Sequence, residues 1–240
     1  MRKISVMLLL TALAGCGAPA GQFSGSGNST IRVADAALAS GSTTVALEVV
    51  DNILKSDPQN VEALVRQGRA HLMLGNGPAA EVSFRKILTI DPRHVEARTG
   101  LGKVQMKTNP TEAERLFTEL LKADPKNAAL LNNLGVVYDL QGRHADAQGV
   151  YNKALELNPS LASARQNLAL SLAVSGRAQE SVGMLHSMAD AGQGGRQLRD
   201  NLALALTLAG NTDAAGQVLR EGMSQADAAR AIAGFRALQP

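Results

Sequence analysis

The stretch Ala128–Leu161, AALLNNLGVVYDLQGRHADAQGVYNKALELNPSL, decides the fold of this 240-residue chain. Leu131, Leu134, Val137, Tyr138 and Leu140 recur at helical spacing, Gly142 interrupts them, and Ala147, Val150, Tyr151, Ala154, Leu155 and Leu157 resume the period until Pro159. The pattern predicts helix, turn, helix, stop. Gly135 and Ala147 are the small residues expected at the crossing, because helix axes approach to roughly 8–10 Å only where side chains are short. Asn158 precedes a proline and is disfavoured in the helical region, and Pro159 has no backbone donor, so the second helix cannot run on. One such hairpin cannot bury both its apolar faces and requires stacked neighbours.

Those neighbours are written in the sequence. Pro58, Pro92, Pro125 and Pro159 are spaced by 34, 33 and 34 residues; beyond them Asn133, Asn167 and Asn201, and Gly142, Gly176 and Gly210, keep a period of 34. Six units follow, at about 29–60, 61–94, 95–127, 128–161, 162–195 and 196–223. The first is weak, with Gly41 at its turn, Ala46 at the crossing, and Val50 and Ile53 on its buried face. The third has lost one residue near Thr108 and Asn109. Gly192–Gly195 replaces the proline stop before the last unit and is expected to be the most mobile joint. Ser224–Leu238, inside a closing segment 224–240, carries Asp227 as a candidate cap and Ala231, Ile232, Phe235 and Leu238 on one face, as a terminal helix closing a stack requires.

Leu134, Gly135, Tyr138, Ala147, Tyr151, Ala154 and Pro159 resemble the tetratricopeptide signature in spacing and identity, with Leu131 where that signature has an aromatic residue. The resemblance implies an all-α, right-handed α-solenoid of about six helix-turn-helix repeats ending in a capping helix. It also implies a concave groove lined by first-helix residues, and the positions expected there include Arg66, Arg69, Lys103, Asn132, Asn133, Asp139, Gln166, Asn167, Asp200 and Asn201. The Asn133, Asn167, Asn201 ladder admits two readings. Side-chain amides can pair with both donors and acceptors of an extended peptide, or asparagine recurs only because the repeat does. Arg66, Arg69 and Lys103 fit a plain solvated face as well.

The amino terminus is read apart from the fold. Met1, Arg2 and Lys3 precede an apolar run from Ile4 to Ala14, too short to cross a bilayer, so residues 1–15 read as a secretory signal. Leu13, Ala14, Gly15 and Cys16 resemble a bacterial lipobox, which implies cleavage before Cys16 and lipid on its sulfur and new amino group. Cys16 is the sole cysteine, so no disulfide framework exists. Residues 16–28 read as a flexible tether. Gly17, where aspartate would imply inner-membrane retention in the enteric sorting rule, favours the periplasmic face of the outer membrane. After cleavage the charge balance is 22 basic against 21 acidic residues. With aromatics at 2% and no basic stripe, nucleic-acid binding has no footprint.

Catalytic patterns are not expected. His71, His94, His144 and His186 share no metal-ligand spacing and read as packing or surface residues. Ser83 and Lys86 form a serine–lysine spacing on an ordinary helix without companion motifs. The chain is expected to need no cofactor beyond the covalent lipid and to take no small-molecule substrate. The segments NNLGVVYDLQGRHADA, RQNLALSLAVSGRAQES, LRDNLALALTLAGNTDAA and AIAGFRALQ resemble the TadD-type lipoproteins of tight-adherence (Flp, type IVb) pilus assembly. That resemblance implies a non-enzymatic outer-membrane scaffold whose partner is the pilus secretin or another assembly component. A general envelope adaptor, recruiting for example peptidoglycan hydrolases, would share the same features.

Overall fold

The computed structural model describes residues 26–192 and 195–237. The signal segment, Cys16, the tether up to residue 25, residues 193–194 of the Gly192–Gly195 joint, and Leu238 lie outside the described residues. Among those described, thirteen helices and no strand occur: α1 (Ser26–Ala39), α2 (Thr43–Ser56), α3 (Val61–Met73), α4 (Gly77–Ile90), α5 (Val95–Thr108), α6 (Pro110–Ala123), α7 (Ala128–Leu140), α8 (His144–Leu157), α9 (Ala162–Val174), α10 (Ala178–Asp190), α11 (Arg196–Leu208), α12 (Thr212–Arg220) and α13 (Gln225–Arg236). Six hairpins and a closing helix make an all-α solenoid. The first helix begins at Ser26, so it takes in residues 26–28 that the sequence assigned to the tether.

The interior repeats one steric trade. Gly68, Gly102 and Gly135 on first helices lie under Phe84, Phe117 and Tyr151 on the second helices of the same hairpins. A Cβ on Gly135 would sit 2.4 Å from Tyr151 Cε1. Phe84 is gripped from both sides, since a Cβ on Gly100 of the next repeat would stand 2.3 Å from its Cζ. In the last two hairpins the small position is Ala169 or Ala203 and the large one Leu185 or Leu219, within one buried cluster; in the first it is Ala34 against Val50. An added methyl on one helix is matched by a smaller group on the other, which keeps interior packing dense without overlap. Glycine 135 therefore makes room chiefly for Tyr151, and Ala147, fully buried, lies one turn earlier on α8.

Turn chemistry explains the period. At Gly142 the backbone takes φ 75°, Arg143 N donates to Tyr138 O at 2.8 Å and Gly142 N to Asp139 O at 2.9 Å. This left-handed cap satisfies the last carbonyls of α7, and the same bonding recurs at Gly41, Gly75, Gly176 and Gly210. The third repeat joins α5 to α6 through Asn109 alone, whose side chain accepts from Glu112 N. Asn158 is extended at φ −142°, as its proline neighbour demands. At the carboxyl end Asp227 is not the cap: the Ser224 hydroxyl accepts from Asp227 N, and Asp227 lies inside the first turn. Ala231, Ile232 and Phe235 pack against the last core cluster.

The contact pattern fixes the curvature. Each first helix touches the first helix of the next repeat, α1 to α3 through α9 to α11, whereas consecutive second helices do not touch. The odd-numbered helices thus form the tighter, inner row. α13 packs on both α11 and α12, in the place a next first helix would take.

Candidate functional site

Three first-helix register columns face along the inner row. One runs Arg69, Lys103, Val136, Leu170, Leu204, and the next, one turn on, runs Met73, Lys107, Leu140, Val174, Leu208. Beside them Asn133, Asn167 and Asn201 keep their own column. The row therefore changes character along its length: mixed in α3, where Met73 stands beside Arg69, basic in α5, and apolar in α7, α9 and α11. A cavity of about 340 Å³ opens in the apolar half, walled by Val136, Leu140, Leu170, Val174 and Leu204 with Tyr151 behind them. Leu140, which the helical period placed among packing residues, is 50% exposed at its rim. The sequence reading missed this strip. Its signal was an apolar i, i+4 pair recurring in the last three repeats in excess of what the core-facing stripe needs.

Asp139, expected to face a partner, is instead a hub of the fold. The Tyr151 hydroxyl donates to its Oδ2 at 2.9 Å, the Ser171 hydroxyl donates to its Oδ1 at 2.7 Å, and His144 Nδ1 lies 2.8 Å from Oδ1. The carboxylate ties α7 to α8 and to the next repeat through three side chains. Burial, with the Asp139 charge behind it, pushes the Tyr151 hydroxyl far above the ordinary tyrosine range.

The asparagine ladder is rearranged as well. Asn132 is buried and accepts from Asn167 Nδ2 at 2.9 Å, which links neighbouring repeats one position out of the expected column. Of the three ladder residues, Asn167 thus makes a bond between repeats. Asn201 Nδ2 is buried without a hydrogen-bond partner, and Asn133 borders a cleft with Thr99 and Lys103. Gln166 is half-buried at the register position of Asn132, and Asp200, at the same position, lies 3.6 Å from Arg196.

The cations separate in the same way. Arg66 donates through Nε and Nη2 to both oxygens of Asp35 at 3.0 Å, pinning α3 to α1. The Arg66 hydrogen bonds hold the Asp35 carboxyl below the usual carboxylate range. Arg69 lies 3.7 Å from Glu96. Lys103 and Lys107 are exposed and take part in none of the ion pairs among the described residues. His94 caps α5, His144 is bound to Asp139, His186 is exposed, and His71 Nδ1 is buried without a partner. Ser83 donates to Gln67 and is buried, while Lys86 points to solvent. Among the described residues no group of three or more His, Cys, Asp or Glu side chains could hold a metal, and no helix is long and apolar enough to cross a membrane.

The family profile described as Tetratricopeptide repeat matches residues 33–95, 107–162 and 141–196, together more than half of the chain. Among curated relatives, Type IV pilus assembly protein PilF of Pseudomonas aeruginosa is 35% identical over 100 residues, 40% of this chain and 40% of that one. Anaphase-promoting complex subunit 3 of Schizosaccharomyces pombe is 30% identical over 95 residues, 39% of this chain and 14% of that one. The chain thus spans less than half the length of either relative. Among solved structures, that of PilW, a widely conserved type IV pilus biogenesis factor, has a TM-score of 0.69 at 21% identity, covering 86% of this chain and 97% of that chain. At that identity the likeness is one of fold.

Proposed function

This chain belongs to the tetratricopeptide repeat family, and from that premise we propose that it is a non-enzymatic protein–protein interaction scaffold in type IV pilus biogenesis. The observation that carries the reading is the inner row of first helices, open along its length, with exposed apolar side chains at the positions that face away from the hairpin core. The identity shared with the pilus assembly protein PilF supports the pilus assignment over other uses of the same fold.

In its finer form the proposal follows the tight-adherence resemblance of the carboxyl-terminal repeats. The chain would sit at the periplasmic face of the outer membrane, anchored by lipid on Cys16, and help the pilus secretin assemble or localise. Several acyl chains on one residue give stable attachment where a single chain binds only marginally. Anchor and groove together would raise the local concentration of a bound component at the membrane, as any tethered binder does.

The test is a crosslinked pull-down of the full-length protein from membranes. Recovery of a secretin or another pilus assembly component is the expected result. Recovery of cell-wall hydrolases without pilus proteins would replace the pilus reading with that of a general envelope adaptor. Full secretin assembly in cells carrying Cys16→Ser would remove the anchor from the mechanism.

A further inference from the structure

We propose that the apolar strip on α7, α9 and α11 receives one face of an amphipathic α-helix of the partner, with that helix's acidic end lying toward Lys103 and Lys107. The proposal deepens the scaffold reading and rests on it.

Three observations select this occupant. The first is the length of the strip. Val136 and Leu140, Leu170 and Val174, and Leu204 place apolar side chains on three successive first helices, all half-buried or exposed and all lining one cavity, while Leu208 packs against the last core cluster. The cavity of about 340 Å³ beside Tyr151 is too large for one apolar side chain, and its walls run across all three helices. A helix with apolar residues at i, i+3, i+4 and i+7 spans it.

The second is hydrogen bonding. An extended peptide brings unpaired N–H and C=O groups that need partners once water is excluded. The polar groups bordering the cavity offer too few open sites for that: Asp139 is engaged by Tyr151, Ser171 and His144, and Asn167 has given one amide N–H to Asn132. A helix carries its backbone bonds internally and needs none from the walls.

The third is charge. Toward the amino-terminal side the same columns change from apolar to Arg69, Lys103 and Lys107. Glu96 lies near Arg69, which leaves the two lysines as the excess charge where the strip ends. Carboxylates on the partner complement that end and fix the helix's direction in the groove.

The experiment uses the full chain in detergent and four labelled synthetic peptides read by fluorescence anisotropy. They are an 18-residue amphipathic leucine helix with three glutamates at one end, the same helix with lysines there, a scramble of equal composition, and the acidic helix broken by two central prolines. The acidic helix is expected to bind about tenfold tighter than the scramble or the proline-broken form, the order of affinity that one buried leucine confers. Its helical circular dichroism should rise on binding.

Leu170→Gln and Leu204→Gln, which keep helix propensity, should each lose about tenfold. Lys103→Glu, at an exposed position, should reverse the preference between acidic and basic peptides at low salt. Equal binding of the proline-broken peptide overturns the helical occupant, and an unchanged preference in Lys103→Glu overturns the orientation. Self-association of the chain that Leu170→Gln abolishes assigns the strip to a second copy and overturns the proposal. If a Leu170→Gln variant that has lost the peptide still recovers pilus components in the membrane pull-down, the scaffold reading stands and the strip is not its site.

Discussion

The Tyr151 hydroxyl on α8 donates to Asp139 Oδ2 on α7 at 2.9 Å, and the same carboxylate accepts from Ser171 on α9. One half-buried acid thereby couples three helices across a repeat boundary, directly behind the apolar cavity. Such a network stabilises only while every member is satisfied. Tyr151→Phe deletes one donor, and thermal or urea unfolding at neutral pH should show a loss of about 1–3 kcal/mol.

The same pair predicts an alkaline limit. An unfolded tyrosine ionises near about pH 10, whereas burial first, and then the Asp139 charge, keeps Tyr151 protonated well above that in the fold. Below about pH 10 both states hold the proton and the contribution is intact. Above it the unfolded chain releases a proton that the native chain retains, so stability falls, by at most about 1.4 kcal/mol per pH unit from this group. Urea midpoints measured from pH 8 to 11 should decline more steeply for the wild type than for Tyr151→Phe. Parallel curves would show that Tyr151 ionises as readily in the fold as outside it.

Glycines on facing helices should respond with opposite sign. Gly135→Ala drives a Cβ to 2.4 Å from the Tyr151 ring, while a Cβ on Gly149 of α8 meets nothing within 4 Å. The first substitution should destabilise by about 1–3 kcal/mol through overpacking. The second should stabilise by about 0.5–1 kcal/mol, because alanine restricts the unfolded chain and favours helix. Adding Tyr151→Leu to Gly135→Ala reproduces the Ala169 and Leu185 pairing of the next repeat and should restore part of the loss. Additive losses in that double variant would mean that the two columns do not compensate sterically.

These two sites also mark what sequence could and could not supply. Period, turn glycines and proline stops depend on local backbone chemistry, so the hairpins and even the shortened turn at Asn109 were legible residue by residue. Which large side chain fills the space above a small one depends on helix rotation, and Gly135 was accordingly matched to Ala147 and not to Tyr151. Polar groove residues were harder still. Asp139, Asn132 and Asn167 stand at inner-row positions, yet Asn132 and Asn167 bond each other across a repeat boundary and Asp139 binds Tyr151 and His144 of its own hairpin and Ser171 of the next, pairings that no spacing within one unit announces. The apolar strip was hidden for the converse reason, since a leucine facing the groove and one facing the core look alike in sequence.

Asn109 performs two tasks that other repeats divide among three residues. It follows the last residue of α5, donating its N–H to Gln105 O at 2.8 Å, and caps α6 by accepting from Glu112 N at 3.2 Å. Asn109→Ala should cost about 1 kcal/mol and Asn109→Gly only a few tenths, since glycine is tolerated at a cap and its φ here is −148°. Hydrogen exchange should place the loss in the first turn of α6. Uniform loosening of the whole chain would argue against a capping origin.

Arg66 stands on the inner row, yet its guanidinium is held at 3.0 Å by both oxygens of Asp35. Its role is to fasten the first helix, and two measurements should separate that from binding. Arg66→Ala should raise hydrogen exchange selectively in α1, at a global cost no greater than about 1 kcal/mol for a pair this accessible to water. The peptide affinity of the strip on α7, α9 and α11 should not change. The pH dependence has a definite sign: the Arg66 hydrogen bonds lower the Asp35 pKa in the fold, so the pair's contribution is present above the unfolded value of about 3.9 and is lost as pH falls below it. Protection of α1 should therefore decay on acidification in the wild type and be flat over the same window in Arg66→Ala. An acid-labile α1 in both proteins would locate the titrating group elsewhere.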